Sequence, residues 1–165
     1  MQPGKILFAE HEGAFIIKLL GDVRLTLCTS FDEFLERMFS HPGFLSVAID
    51  LNDAEGIDST TLGLLAKLAI QAQKRFHFRP ILFCSKPDIL RIIESMGFDE
   101  VFDVQQGALE LGGKVDELAV QSEPEDAVRQ RIICAHKVLM ELRAENRLRF
   151  QDLIKALETP SNAAR

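Results

Sequence analysis

Four consecutive residues, Asp58-Ser59-Thr60-Thr61, carry the side chains best placed for chemistry. A carboxylate and three hydroxyls stand where an apolar helical run opens at Leu62-Gly63-Leu64-Leu65. These residue types accept hydrogen bonds from the unpaired amides of a first helical turn, so capping alone explains the cluster. A phosphoacceptor is the alternative. A phosphate there adds roughly −1.5 to −2 charges; the helix amides favour it, whereas Asp58, and Asp53 and Glu55 if the loop before the helix folds close, oppose it. Other candidates lack a pattern. His11, His41, His77 and His136 share no spacing with one another or with Cys28, Cys84 and Cys134 that suits a metal or a triad. The histidines read as surface or turn residues, and no metal site or cofactor is expected. With no G-x-S-x-G, P-loop or dinucleotide fingerprint, no enzymatic machinery is visible.

Composition narrows the class further. The chain has 165 residues, 47% of them hydrophobic and 27% charged, enough for one domain with a real core plus an extension. The formal net charge of −6 is uneven. Residues 1–122 hold 11 Lys/Arg against 18 Asp/Glu, whereas residues 123–158 hold seven of each. That acidity disfavours nucleic acid, which needs clustered cations to displace counterions, and suits a basic protein partner. The three cysteines, odd in number and far apart, read as small buried hydrophobes in a reducing cytoplasm. No stretch reaches the ~20 apolar residues of a membrane span, and Glu10, His11 and Glu12 interrupt any leader-like segment. A cytoplasmic location is expected.

The elements that must position the hydroxyls follow from periodicity. Ile6–Ala9 and Ala14–Leu20 are branched, aromatic runs around a polar turn, which predicts an antiparallel hairpin. A further extended piece is expected at Val23–Leu27. Thr29 or Ser30 then caps a helix with Phe31, Phe34, Leu35 and Met38 on one face, ended by His41-Pro42-Gly43. Phe44–Ile49 is a buried strand running to Asp50 and an acidic loop, and Thr60–Phe76 a helix. Ile81–Cys84 is the next strand, followed by a helix with Pro87 in its first turn and Gly97 at its end. Val101–Val104 is the last short strand. Strands alternating with helices predict an α/β fold, mostly parallel after the hairpin.

The remainder divides in two. Residues 105–122, with Gly107, Gly112 and Gly113 among Leu109, Leu111, Val115 and Leu118, are expected to be partly helical. From Ser122-Glu123-Pro124-Glu125 a long helix is predicted, with Val128, Ile132, Ala135, Leu139 and Leu142 on its apolar stripe. Unbroken to Glu158 it would span roughly 50 Å, longer than such a domain is wide. It either breaks near Asn146, folding Phe150, Leu153, Ile154 and Leu157 back, or projects and pairs with another chain. The domain division is therefore 1–121, a helical extension at 122–158, and a tail at 159–165.

A strand ending in Asp50, then Ile57-Asp58-Ser59-Thr60 followed by Leu62-Gly63-Leu64-Leu65, resembles the signature of STAS domains, most closely of bacterial anti-sigma factor antagonists. The resemblance covers about residues 5–107. Gly21-Asp22 resembles that family's Gly-Glu step, and Ser85-Lys86-Pro87-Asp88 through Gly97-Phe98 its late helix. It implies a STAS-like mixed sheet of about five strands with flanking helices. It also implies phosphorylation at Ser59, with Thr60 the second choice and Thr61 the third, and partner contacts at Asp22, Asp58, Ser59, Thr60, Thr61 and Leu62. Two positions depart from the family: Arg24 replaces a common Asp, and Thr61 a usual Gly.

The implied function is a non-enzymatic switch. Unmodified, the protein would bind an anti-sigma factor, itself often a serine kinase, and free a sigma factor; phosphorylation of Ser59 would block binding, and a PP2C-type phosphatase would restore it. Asp58 is expected to orient the loop rather than act as a base. Asp50 and Asp53 raise an acidic phosphorylation pocket, but a receiver domain needs an acidic cluster after its first strand and a late Lys. The alternative is a STAS module that is never phosphorylated and senses a ligand or scaffolds a complex. A small hydrolase using Ser59 is the third reading. The C-terminal helix either packs on its own domain or serves a partner or homodimer.

Overall fold

The computed structural model describes residues 1–159. Strands β1 (Lys5–His11) and β2 (Ala14–Val23) form the expected hairpin, with Ile6 opposite Leu19 and Phe8 opposite Ile17. Alternation on β2 is strict: Phe15, Ile17, Leu19, Gly21 and Val23 are buried and the residues between them half-buried, as one face of a sheet under helices requires. The chain then passes through β3 (Ser46–Ile57), β4 (Ile81–Phe83) and β5 (Asp103–Gln105), each parallel to its predecessor in the sheet. The helices between them are α1 (Cys28–Phe39), α2 (Ser59–Phe76) and α3 (Pro87–Ser95). The sheet has six strands in the order β5-β4-β3-β2-β1-β6.

Local chemistry explains the helix boundaries that were foreseen. Pro87 opens α3, where a missing N–H costs nothing. Gly97 follows at φ 89°, the left-handed conformation that glycine adopts without strain. Phenylalanines fill the space between α1, α2 and the sheet, Phe8 against Phe34 at 4.5 Å and Phe44 against Phe76 at 4.6 Å.

Several elements differ from expectation. Thr29 and Ser30 do not cap α1; they lie inside its first turn, buried, and the Ser30 hydroxyl donates to the Ala119 carbonyl. Instead of a strand at Val23–Leu27, β2 ends at Val23 and Leu25–Leu27 form a 3-10 turn. The acidic loop is largely strand, because Asp53 and Glu55 alternate outward around the buried Ala54 while β3 continues beside β2. No helix forms within 105–122: three glycines weaken it, and the segment supplies the two-residue β6 (Asp116–Glu117) on the edge of β1. Its amides also serve the sheet, Leu109 N–H donating to the buried Asp50 carboxylate at 3.0 Å. Cys28 and Cys84 are buried, which pushes both thiols up, but Cys134 is exposed.

The C-terminal extension breaks and folds back. Helix α4 (Glu125–Leu142) ends at Arg143, whose φ of −148° and ψ of 147° are extended, and α5 (Ala144–Glu158) returns along it. Asn146 secures the corner. Wholly buried, it donates from Nδ2 to the Leu139 and Met96 carbonyls, both at 2.8 Å, capping the end of α4 and tying it to the end of α3; its Oδ1 finds no partner among the described residues. Leu153, expected on the inner face, is 39% exposed. Asn146→Ala leaves two carbonyls unpaired and is expected to cost about 2 kcal/mol, read as a lower urea midpoint at unchanged slope. Apart from Thr159, the expected tail lies outside the described residues.

Candidate functional site

The hydroxyl cluster sits at the carboxyl ends of two parallel neighbours, β2 and β3, where Val23 pairs with Ile57. Crossover connections bring loops together at such an edge, so it is the natural docking margin of an α/β sheet. Asp58 is the N-cap of α2. Its Oδ1 accepts from Thr61 N–H at 2.9 Å and its Oδ2 from Leu25 N–H at 2.7 Å. With both carboxylate oxygens on backbone amides, Asp58 orients the loop and ties the β2–α1 connection to α2. Asp22 lies half-buried opposite Gly56 of β3 and accepts from Arg24 Nε at 2.9 Å, so the residue that departs from the family pattern neutralises the step residue two places before it.

The three hydroxyls differ in access. Thr60 and Thr61 are 3% and 2% exposed, and Leu62 is 2% exposed in the core. Ser59 alone of the three hydroxyl residues reaches the surface, half-buried. Its Oγ lies 2.8 Å from His136 Nε2 on α4. The opposite ring nitrogen, Nδ1, is 2.7 Å from the Ile132 carbonyl, which can only accept. Nδ1 therefore carries the proton, and in the neutral ring Nε2 accepts from the Ser59 hydroxyl.

His136 corrects the expectation that every histidine lies at the surface: it is 1% exposed, with the Phe150 ring of α5 edge-on at 5.0 Å. The signal was present, since His136 falls four residues after Ile132 and three before Leu139 on the apolar stripe of α4.

Helix α4 reaches Ser59 because α2 carries a glycine at the crossing. A Cβ on Gly63 would lie 2.6 Å from the Ala135 carbonyl carbon and 2.7 Å from its Cβ, so only a bare Cα admits the α4 backbone this closely. One turn further along, Asp32 of α1, 8% exposed, accepts from Lys67 Nζ of α2 at 2.7 Å and from Arg131 of α4 at 2.8 Å. Arg131 also binds Glu123 at 2.7 Å. Ser59, Gly63 and Lys67 are thus met in turn by His136, Ala135 and Arg131, an antiparallel packing of α4 on α2.

The Arg131 guanidinium is held well above its usual range, chiefly by hydrogen bonding to Glu123, and holds the Glu123 carboxyl below the usual carboxylate range. A lowered folded value stabilises the folded chain above Glu123's ordinary pKa of 4.5, and that stabilisation fades as pH falls through the lowered value. Melting temperature is accordingly expected to drop on acidification below 4.5, and Glu123→Gln to flatten that part of the profile.

Among the described residues there is no cluster of three metal-ligating side chains, and no helix is long and apolar enough to cross a membrane. A cleft of about 520 Å³ opens elsewhere, between Ala9, Glu10, Ala14, Ile16 and Gly112–Lys114.

The family model of the STAS domain matches residues 5–112, which hold the whole sheet except β6 and the whole hydroxyl cluster. The chain belongs to the STAS family. Among solved structures it is similar to an anti-sigma factor antagonist from Mycobacterium paratuberculosis, at a TM-score of 0.53 and 19% identity over 62% of this chain and 85% of that one. That likeness confirms the STAS fold. No curated protein matches. The family match stops before α4 and α5, so the helix that reaches Ser59 lies outside the matched region.

Proposed function

We propose that this STAS protein is a phosphorylation-controlled anti-sigma factor antagonist, a binding switch rather than an enzyme. The observation that carries the reading is the position of Ser59: directly after the capping Asp58, at the carboxyl edge of β2 and β3, and the one hydroxyl of the cluster with surface exposure. A serine kinase transfers the γ-phosphoryl group of ATP to Ser59 Oγ, releasing ADP and the hydroxyl proton; a PP2C-type phosphatase returns the hydroxyl with water, releasing inorganic phosphate. The anion arises directly after Asp58, in a chain of net charge −6. It enters the contact surface, where repulsion and desolvation oppose docking, so the unmodified form binds the anti-sigma factor and frees its sigma factor in the cytoplasm.

The test is titration of the full chain with an anti-sigma kinase from the same cell. Ser59→Ala is expected to bind and Ser59→Asp to bind at least about a hundredfold more weakly, as for a charge buried without a partner; equal affinities would refute the switch. One observation favours the second reading, a STAS scaffold or ligand sensor that is never phosphorylated: the Ser59 hydroxyl is already engaged by a buried histidine.

A further inference from the structure

Modification of Ser59 breaks the contact that α4 makes to it. A hydroxyl donating to Nε2 across 2.8 Å leaves no space for a phosphorus and three oxygens between the two atoms, and a phosphoserine Oγ has no proton to donate. His136 cannot yield by itself, because it is 1% exposed and flanked by Phe150 of the second C-terminal helix. A protein approaching α2 meets the same obstacle at Gly63, where the α4 backbone covers the helix. The hairpin nevertheless has the makings of a separable unit. Of the 18 residues of α4, Ile133, Ala135, His136 and Leu139 are buried and Val128, Val138, Met140 and Leu142 only partly so; beyond that stripe the hairpin is held by polar links, Asp32, Glu123 and Arg131 toward α1 and Asn146 toward the end of α3. Thin apolar burial with a polar clasp marks an element that opens below the global unfolding free energy.

We propose that the α4–α5 hairpin is a built-in lid on the Ser59 surface, withholding the serine from kinase and partner when docked and presenting it when released. The lid rests on the reading of Ser59 as the regulated hydroxyl. Lid and partner compete for α2, so the apparent affinity of a partner falls with the open fraction: a lid open in about one chain in a hundred weakens it about a hundredfold.

The experiment uses the full chain with Ser59→Cys as reporter and Cys134→Ser to remove the exposed thiol; Cys28 and Cys84 are buried. A polyethylene-glycol maleimide, whose bulk slows its approach to a half-buried residue 59 beside α4, is the probe. Adding Arg131→Ala, which leaves the reporter's own contacts untouched, is expected to speed labelling about tenfold, the worth of a charge-assisted hydrogen bond. Gly63→Ala, which wedges the helices apart, is the second variant. Hydrogen exchange followed in parallel is expected to loosen residues 125–158 while β1–β3 keep their protection. Unchanged labelling in both variants, or exchange of 125–158 only together with the sheet, would overturn the lid. That failure would leave Ser59 phosphorylation standing, and equal binding by the two Ser59 variants would leave a lid that still opens.

Discussion

Gly63→Leu is expected to expel α4 from α2 and to lower stability by at least about 3 kcal/mol, the upper range for forcing volume into a packed contact. Even a methyl group would lie 2.6 Å from the carbonyl carbon of Ala135, and backbone, unlike the tip of a flexible side chain, cannot swing aside. Three further carbons have no cavity to enter. Relief comes from undocking, which exposes Ala135, Leu139 and Phe150, now 1%, 0% and 8% exposed. Urea unfolding followed by circular dichroism would then show an early step carrying the helical signal of the hairpin. A single transition at the parent midpoint would mean that α2 and α4 do not press on one another.

Asp32→Ala is the second large effect, expected to cost about 2–4 kcal/mol. The Asp32 side chain, 11% exposed, holds Lys67 at 2.7 Å and Arg131 at 2.8 Å, so one carboxylate joins α1, α2 and α4. Its removal takes the 2.7 Å partner from Lys67, which keeps only Glu36 at 3.9 Å, and leaves Arg131 to Glu123 and Glu33 in a partly desolvated corner. The two cations are 26% and 25% exposed, so water screens part of the loss, which keeps the figure below that of a fully buried pair. Adding Lys67→Met removes the cation that has lost its close partner and is expected to restore part of the midpoint. A double variant as unstable as the sum of its singles would show that the two residues act independently.

What the sequence made legible was local. Alternation in Ala14–Leu20, helical spacing in Thr60–Phe76, Pro87 and Gly97 mark elements through interactions within a few residues, and those elements stand where they were read. The capping of α2 by Asp58 is equally local, its partner three residues ahead. The site's other half is built from pairs far apart in the chain. Ser59 meets His136 across 77 positions, and Asp32 meets Arg131 across 99, so no window of periodicity contains both partners. The apolar stripe of α4 announced that the helix would bury a face but not which face it would cover, and Gly63 read as part of a motif rather than as a crossing point. β6 escaped because two residues carry no alternation, its pairing being decided by the free edge of β1. The acidic stretch before Asp58 read as a loop from its charge, while its alternation around Ala54 spoke for a strand.

On the proposed reading, Ser59 is the hydroxyl the cell modifies. Phosphopeptide mapping of the chain isolated from its native cell tests it most directly. Phosphate on Ser59 in part of the population, with Thr60 and Thr61 unmodified in keeping with their burial, is the expected result. Peptides spanning Asp58–Leu62 that never carry phosphate, across growth and stress conditions in which the protein is present, would contradict it.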